Sequence, residues 1–158
     1  MRTGSFHPAI TDLDLTPQAT LGVLLDADTS TYKYVKHPGV YAVTKGDALS
    51  YDPSDTKLHT VSTYPTGLGA GIAVTNVGTS TAAQYGFIQT KGVVVCSQTI
   101  GGTSVNIGDV VTTSGTNVSG YGMLGVRDLA NQQGCGNVVQ QGTTAGDGLT
   151  IINANFPD

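Results

Sequence analysis

A chain of 158 residues is long enough for one domain with an appended arm, and long enough to bury a core without staples. Only 11% of its residues are charged, the net charge is −4, and no Lys/Arg run exists to neutralise phosphates, which speaks against nucleic acid as a partner. No apolar run reaches the roughly 18 residues of a membrane helix, and Met1 to Leu15 lacks the apolar centre of a secretory signal, so synthesis in a cytoplasm is expected.

In chain order, residues 1–19 read as an extended arm. Pro8 and Pro17 oppose regular pairing, and Ile10, Leu13 and Leu15 are spaced for docking rather than for a helix. Residues 20–158 read as one antiparallel β domain. Leu21 to Leu25 and Tyr32 to Lys36 flank the polar stretch Asp26 to Ser30, which predicts a hairpin with a longer loop. Strands are then expected at Val40–Thr44, Ala48–Tyr51, Leu58–Tyr64, Ile72–Val77 and Tyr85–Thr90. Gly67 to Gly71 reads as flexible, and Lys91-Gly92 reads as a turn into Val93–Cys96. Further strands are expected at Val110–Thr113, Met123–Val126 and Leu149–Asn155, with one helical turn at Leu129–Gln133. In the last strand Leu149, Ile151, Asn153 and Asn155 share one side, and Thr150, Ile152, Ala154 and Phe156 the other.

One punctuation recurs. Gly46-Asp47-Ala48-Leu49, Gly108-Asp109-Val110-Val111 and Gly146-Asp147-Gly148-Leu149 each close a loop and open a strand. Glycine supplies the positive φ of a tight turn, and aspartate bonds nearby backbone. Gly46 and Gly108 stand 62 residues apart, which fits either a duplication or shared turn chemistry. Short strands with turns between them, and no crossover helices, predict an all-β antiparallel barrel or sandwich.

No constellation points to chemistry. Asp26 to Ser30 starts like a calcium loop but has Thr31 where the sixth-position glycine belongs and His37 in place of the terminal glutamate. His7, His37 and His59 show no metal spacing, no Gly-x-Ser-x-Gly elbow occurs, and the chain has no glutamate. Gly67 to Ile72 fails the dinucleotide fingerprint at its sixth position. No metal or other cofactor is expected, and the reading is non-enzymatic. Cys96 reads as a small core hydrophobe and Cys135 as a loop residue. Whether they pair is open.

Leu21-Gly22-Val23, Asp26, Tyr32 to Lys36 and Gly46-Asp47 set a cadence. It continues in Gln84 to Gly92, Ile107 to Val111 and Leu124-Gly125-Val126. Together they resemble the small β-rich decoration (cement) proteins of tailed-phage capsids. The resemblance implies a tulip-like β domain behind a leading hairpin. It implies a virion protein bound to the capsid exterior, a homo-oligomer (trimer or dimer) that bridges capsomers, with the major capsid protein as partner. A neutral Thr/Ser surface and an extended arm suit such permanent contacts. The expected contact residues are Phe6, His7, Pro8, Ile10, Leu13 and Leu15 of the arm, with Tyr32 and Tyr34 from the hairpin. A receptor- or glycan-binding fibre or adhesin module is the rival expectation.

Overall fold

A computed structural model describes residues 8–62, 68–97, 106–113, 124–126, 134–140 and 149–156. All regular structure in these residues is strand: β1 Leu24–Ala27, β2 Ser30–His37, β3 Ala48–Tyr51, β4 Val61–Ser62 and β5 Gly69–Ala73. Then come β6 Gln84–Ser97, β7 Val110–Thr113, β8 Leu124–Val126, β9 Gly136–Gln140 and β10 Leu149–Asn155. They form one curled antiparallel sheet in the order β4-β3-β5-β6-β10-β9-β7-β8, with β2 on β6 and β1 on β2. The all-β expectation holds.

Several elements differ from the sequence reading, each for a physical reason. The leading hairpin is tighter than expected. Ala27 pairs with Ser30 across the two residues Asp28 and Thr29, and Asp28 takes the positive φ that short polar side chains tolerate. Val40–Thr44 is not a strand. Only Val43 pairs, through two 2.8 Å bonds with Val77. Gly69 to Gly71, expected to be flexible, lies inside β5 because the backbones there approach closely. A Cβ on Gly71 would sit 2.7 Å from the Gln89 carbonyl oxygen. Lys91-Gly92 is not a turn: Gly92, at φ 97°, sits within one 14-residue strand. β9 was not anticipated. The helical turn at 129–133 and the third Gly-Asp copy fall outside the described residues.

The strand ladder shows that the chain is a tandem repeat. In the first unit β3 pairs with β4 and β5, and β5 with the first half of β6, which pairs on its other edge with β2. In the second unit β7 pairs with β8 and β9, and β9 with β10, which pairs with the second half of β6. The register repeats residue by residue. Leu49 faces Gly71 as Val111 faces Gly136, Ala73 faces Ile88 as Val138 faces Ile152, and Lys33 faces Ile88 as Val94 faces Ile152.

The turns repeat as well. The Thr44 amide donates to Asp47 Oδ2 at 2.7 Å and the Asp47 amide returns to the Thr44 carbonyl at 2.9 Å. Asn106 and Asp109 do the same at 2.7 and 3.1 Å. Gly46 and Gly108 supply the positive φ in between. Each turn is then tied to its neighbour: the Gly46 amide donates to Ala73 O and the Gly108 amide to Val138 O.

Each unit has its own core at equivalent positions. Val35, Leu49, Ala70, Ala73 and Ile88 line the first. Cys96, Val111, Cys135, Val138 and Ile152 line the second. The first unit curls shut where Lys36 bridges Thr60, its amide donating to the His59 carbonyl at 2.8 Å. The second core also takes in Ala48 and Ile72, from the outer face of the first unit, and Phe156. The units are therefore packed together and share β6 as a continuous spine.

Candidate functional site

The arm is the first place the sequence reading directs attention, and residues 8–23 are laid onto the first unit. Asp14 and Tyr85 exchange backbone bonds of 3.0 and 2.8 Å, so the arm extends the sheet beside the start of β6. Leu13 packs against the first core through the space left by Gly86, where a Cβ would lie 2.8 Å from Leu13 Cδ2. The Gln18 amide donates to the Tyr34 hydroxyl at 3.1 Å, and Gly22 donates to the Tyr34 carbonyl at 2.8 Å. Under this strap Tyr34 and Phe87 form an edge-to-face pair, centroids 5.0 Å apart. Burial holds the Tyr34 phenol above its ordinary pKa, and the Gln18 amide works against that rise.

The expected contact residues thus divide. Tyr34 is fully buried within the chain, Pro8 is buried, and Leu13 is half-buried in the barrel mouth. Ile10 and Tyr32 are half-buried, while Leu15 is 67% exposed. Phe6 and His7 lie outside the described residues.

The described polar groups inside the first unit sit at separate places. Lys33 is buried, with Nζ donating to the Tyr51 hydroxyl at 2.8 Å and lying 4.9 Å from that ring's centroid. His37 ends β2 beside a small cavity lined by Pro38, Gly39, Tyr41, Val43, Val61 and Ser62. Desolvation pushes its imidazole down to about 4, and Nδ1 has no hydrogen-bond partner. Asp55 ties the loop before β4. Its carboxylate takes Thr60 and the Lys57, His59 and Thr60 amides, and these bonds hold its pKa at about 2. No group of three or more metal-ligating side chains occurs among the described residues. Cys96 and Cys135 are both buried thiols, pushed up to about 12, mainly by burial. That places Cys96 in the core as expected and moves Cys135 from loop to core.

The outer faces of the two units differ most. In the first unit Tyr34 and Phe87 are buried, with the Tyr34 hydroxyl meeting the Gln18 amide, and Ala48 and Ile72 pack into the second core. The register places Val95 and Ile151 at the positions of Tyr34 and Phe87, and Val110 and Asn137 at those of Ala48 and Ile72. Val93 is 59% exposed and Val95 46%, Ile151 is half-buried, and Asn137 and Asn153 are exposed. Sequence reasoning missed this face, because Val93-Val94-Val95 reads as buried core until the register separates its two sides. The recurring Gly-Asp turn, 62 residues apart, was the available signal for the repeat.

No protein-family model matches the chain, and no curated protein matches it. Among solved structures, the fold is similar to the N base of the head fiber gp8.5 of bacteriophage phi29. The TM-score is 0.53 at 14% identity, covering 80% of this chain and 98% of that one. The likeness spans nearly all of that module, and it is a likeness of fold.

Proposed function

We propose that this chain is a non-enzymatic structural protein of a phage virion that decorates the capsid exterior and stabilises it by bridging capsomers. The observation that carries this reading is the near-complete coverage of a phage head-fiber base by the same curled β architecture. The surface chemistry agrees with it. The described outer face of the second unit offers neutral aliphatic and amide groups suited to lasting protein contacts.

The major capsid protein is then the partner, and a trimer or dimer lets several weak contacts act together. Leu15 is the arm residue best placed to reach outward, with Ile10 and Tyr32 beside it. The head-fiber likeness also favours a second reading, a base that seats a fibre or adhesin on the virion.

Adding the purified protein to expanded capsids that lack it tests the first reading. Co-sedimentation and a higher temperature of capsid disruption are expected. Failure to co-sediment, or glycan-array binding by the isolated protein in its place, overturns it.

A further inference from the structure

We infer that the end of the first unit, where β2 stops, is an acid-released clasp: when His37 takes up a proton, residues 38–43 leave the barrel while the second unit stays folded. The clasp is a property of the fold and stands apart from the virion reading.

The imidazole is enclosed and unmet. His37 is 3% exposed, and its cavity is lined by Pro38, Gly39, Tyr41, Val43, Val61 and Ser62. Val43 and Val61 belong to the first core, so the ring plugs the end of that core. Nδ1 has no hydrogen-bond partner among the described residues, and neither has Oε1 of Gln84, the residue opposite His37 on β6. Opposed residues share a face of the sheet, so two unmet polar atoms belong to one side of the β2–β6 pair.

No counter-charge faces the ring among the described residues. Tyr41 is the titratable side chain that lines the cavity with it, β4 contributes the Ser62 hydroxyl, and β6 the Gln84 amide. Lys36 and Tyr85 fall on the opposite face by alternation, as does Asp14, which pairs with Tyr85. The His59 ring lies against Gly22, and Asp55 holds the Lys57, His59 and Thr60 amides. A neutral imidazole suits this site. An imidazolium meets no carboxylate there and has to reach water.

The way out runs through residues 38–43. On its other sides the ring is walled by β2, which is laddered to β6 and joined through the Lys36 amide to the His59 carbonyl. Residues 38–43 lie in no named strand, and Val40 and Tyr41 are exposed. The Ser80 amide donates to the Gly39 carbonyl at 3.0 Å, and Val43 and Val77 exchange two 2.8 Å bonds. Gly39, at φ 81°, is a ready pivot. A segment held by so few backbone bonds opens at a lower free energy than the laddered strands around it.

Native-state amide exchange of the full chain at pH 7 and pH 4, with rates normalised to the unfolded chain at each pH, tests the clasp. The amides of Val43, Val77 and Ser80 report the segment, and that of Val138, bonded to the Asp109 carbonyl, reports the second unit. A histidine lowered from 6.5 to about 4 makes opening of the segment about 100-fold more frequent at pH 4 than at pH 7. At pH 4 the segment should exchange at least about tenfold faster than Val138 and respond little to urea below the unfolding transition. His37→Phe, and His37→Asn as a smaller polar alternative, should remove the acid response, with circular dichroism confirming their fold. If the segment and Val138 exchange together at pH 4 with the same urea dependence, protonation lowers global stability only and the clasp is overturned. An undiminished acid response in a folded His37 variant overturns it as well.

Discussion

The two units share a ladder, a turn and a set of core positions, yet they spend their surfaces differently. The first buries its aromatics, Tyr34 and Phe87, with the Gln18 amide on the Tyr34 hydroxyl, and packs Ala48 and Ile72 into the second core. It also holds His37, His59 and most of the charge among the described residues. The second unit has aliphatic and amide residues at the equivalent outer positions, with Val93, Val95, Asn137 and Asn153 exposed and Val110 and Ile151 half-buried. One backbone plan thus serves twice, once as a body closed by its own arm and once as a body with an open side. The comparison teaches that the scaffold fixes where a face is, and the local sequence fixes whether that face is closed in cis.

The strongest way to break the comparison is at the shared spine. A Cβ on Gly92 would lie 2.6 Å from the Thr29 carbonyl oxygen and 2.7 Å from Ser30 Oγ, at a φ of 97° that L-residues avoid. Gly92→Ala should cost about 3–5 kcal/mol in urea unfolding. Because both units hang on β6, they should lose structure together, in one transition.

The equivalence of the units is sharpened by Gly71 and Gly136. Their Cβ positions meet equivalent carbonyls, Gln89 O at 2.7 Å and Asn153 O at 2.6 Å. Gly71→Ala and Gly136→Ala should each cost about 2–4 kcal/mol, the second more because Gly136 has a φ of 155°. A large cost at one and none at the other would show that the register does not repeat.

A third prediction separates the units by pH. His37 is pushed down to about 4 in the fold, below the ordinary imidazole value of 6.5, because burial disfavours the imidazolium. The unfolded chain therefore takes up the proton first as pH falls. The contribution is complete above pH 6.5 and is lost progressively down to about 4, to a total of at most about 3 kcal/mol. Urea unfolding at pH 7 and pH 4 should show that loss, and His37→Phe should flatten this part of the profile. Since the histidines all lie before residue 60, the second unit contributes no such slope.

The smallest effect is expected at the cysteines. Cys96 and Cys135 occupy the positions of Val35 and Ala70 in the first unit. Cys135 Sγ adds one 3.2 Å bond to the Val111 carbonyl. Cys96→Val with Cys135→Ala should stay within about 1 kcal/mol of wild type by thermal unfolding.

Much of the ladder was legible because alternation and turn glycines are local signals. Ala48–Tyr51, Val110–Thr113 and Leu149–Asn155 stand where the pattern puts them, and of the two sides of the last strand the one with Ile152, Ala154 and Phe156 is buried. Gly92 misled because the same positive φ serves a turn or a bulge, and only the partner strands decide which. Gly69 to Gly71 misled because glycine signals flexibility in sequence and close approach in a packed sheet. The outer faces were illegible for a longer-range reason. Tyr34 reads as a contact residue and Val95 as part of an apolar strand, yet Tyr34 is buried and Val95 is 46% exposed, and only the register shows that they are equivalent.

Thiol labelling of the folded protein tests the contrast between the units most directly. In the Cys96→Val/Cys135→Ala background, a single cysteine is placed at position 34 or at position 95, the two equivalent sites. The account predicts labelling at 95 within about tenfold of an unfolded-chain rate, and labelling at 34 slower by on the order of 100-fold or more. Equal rates at the two sites, whether both fast or both slow, would contradict a first face closed by its own arm and a second left open.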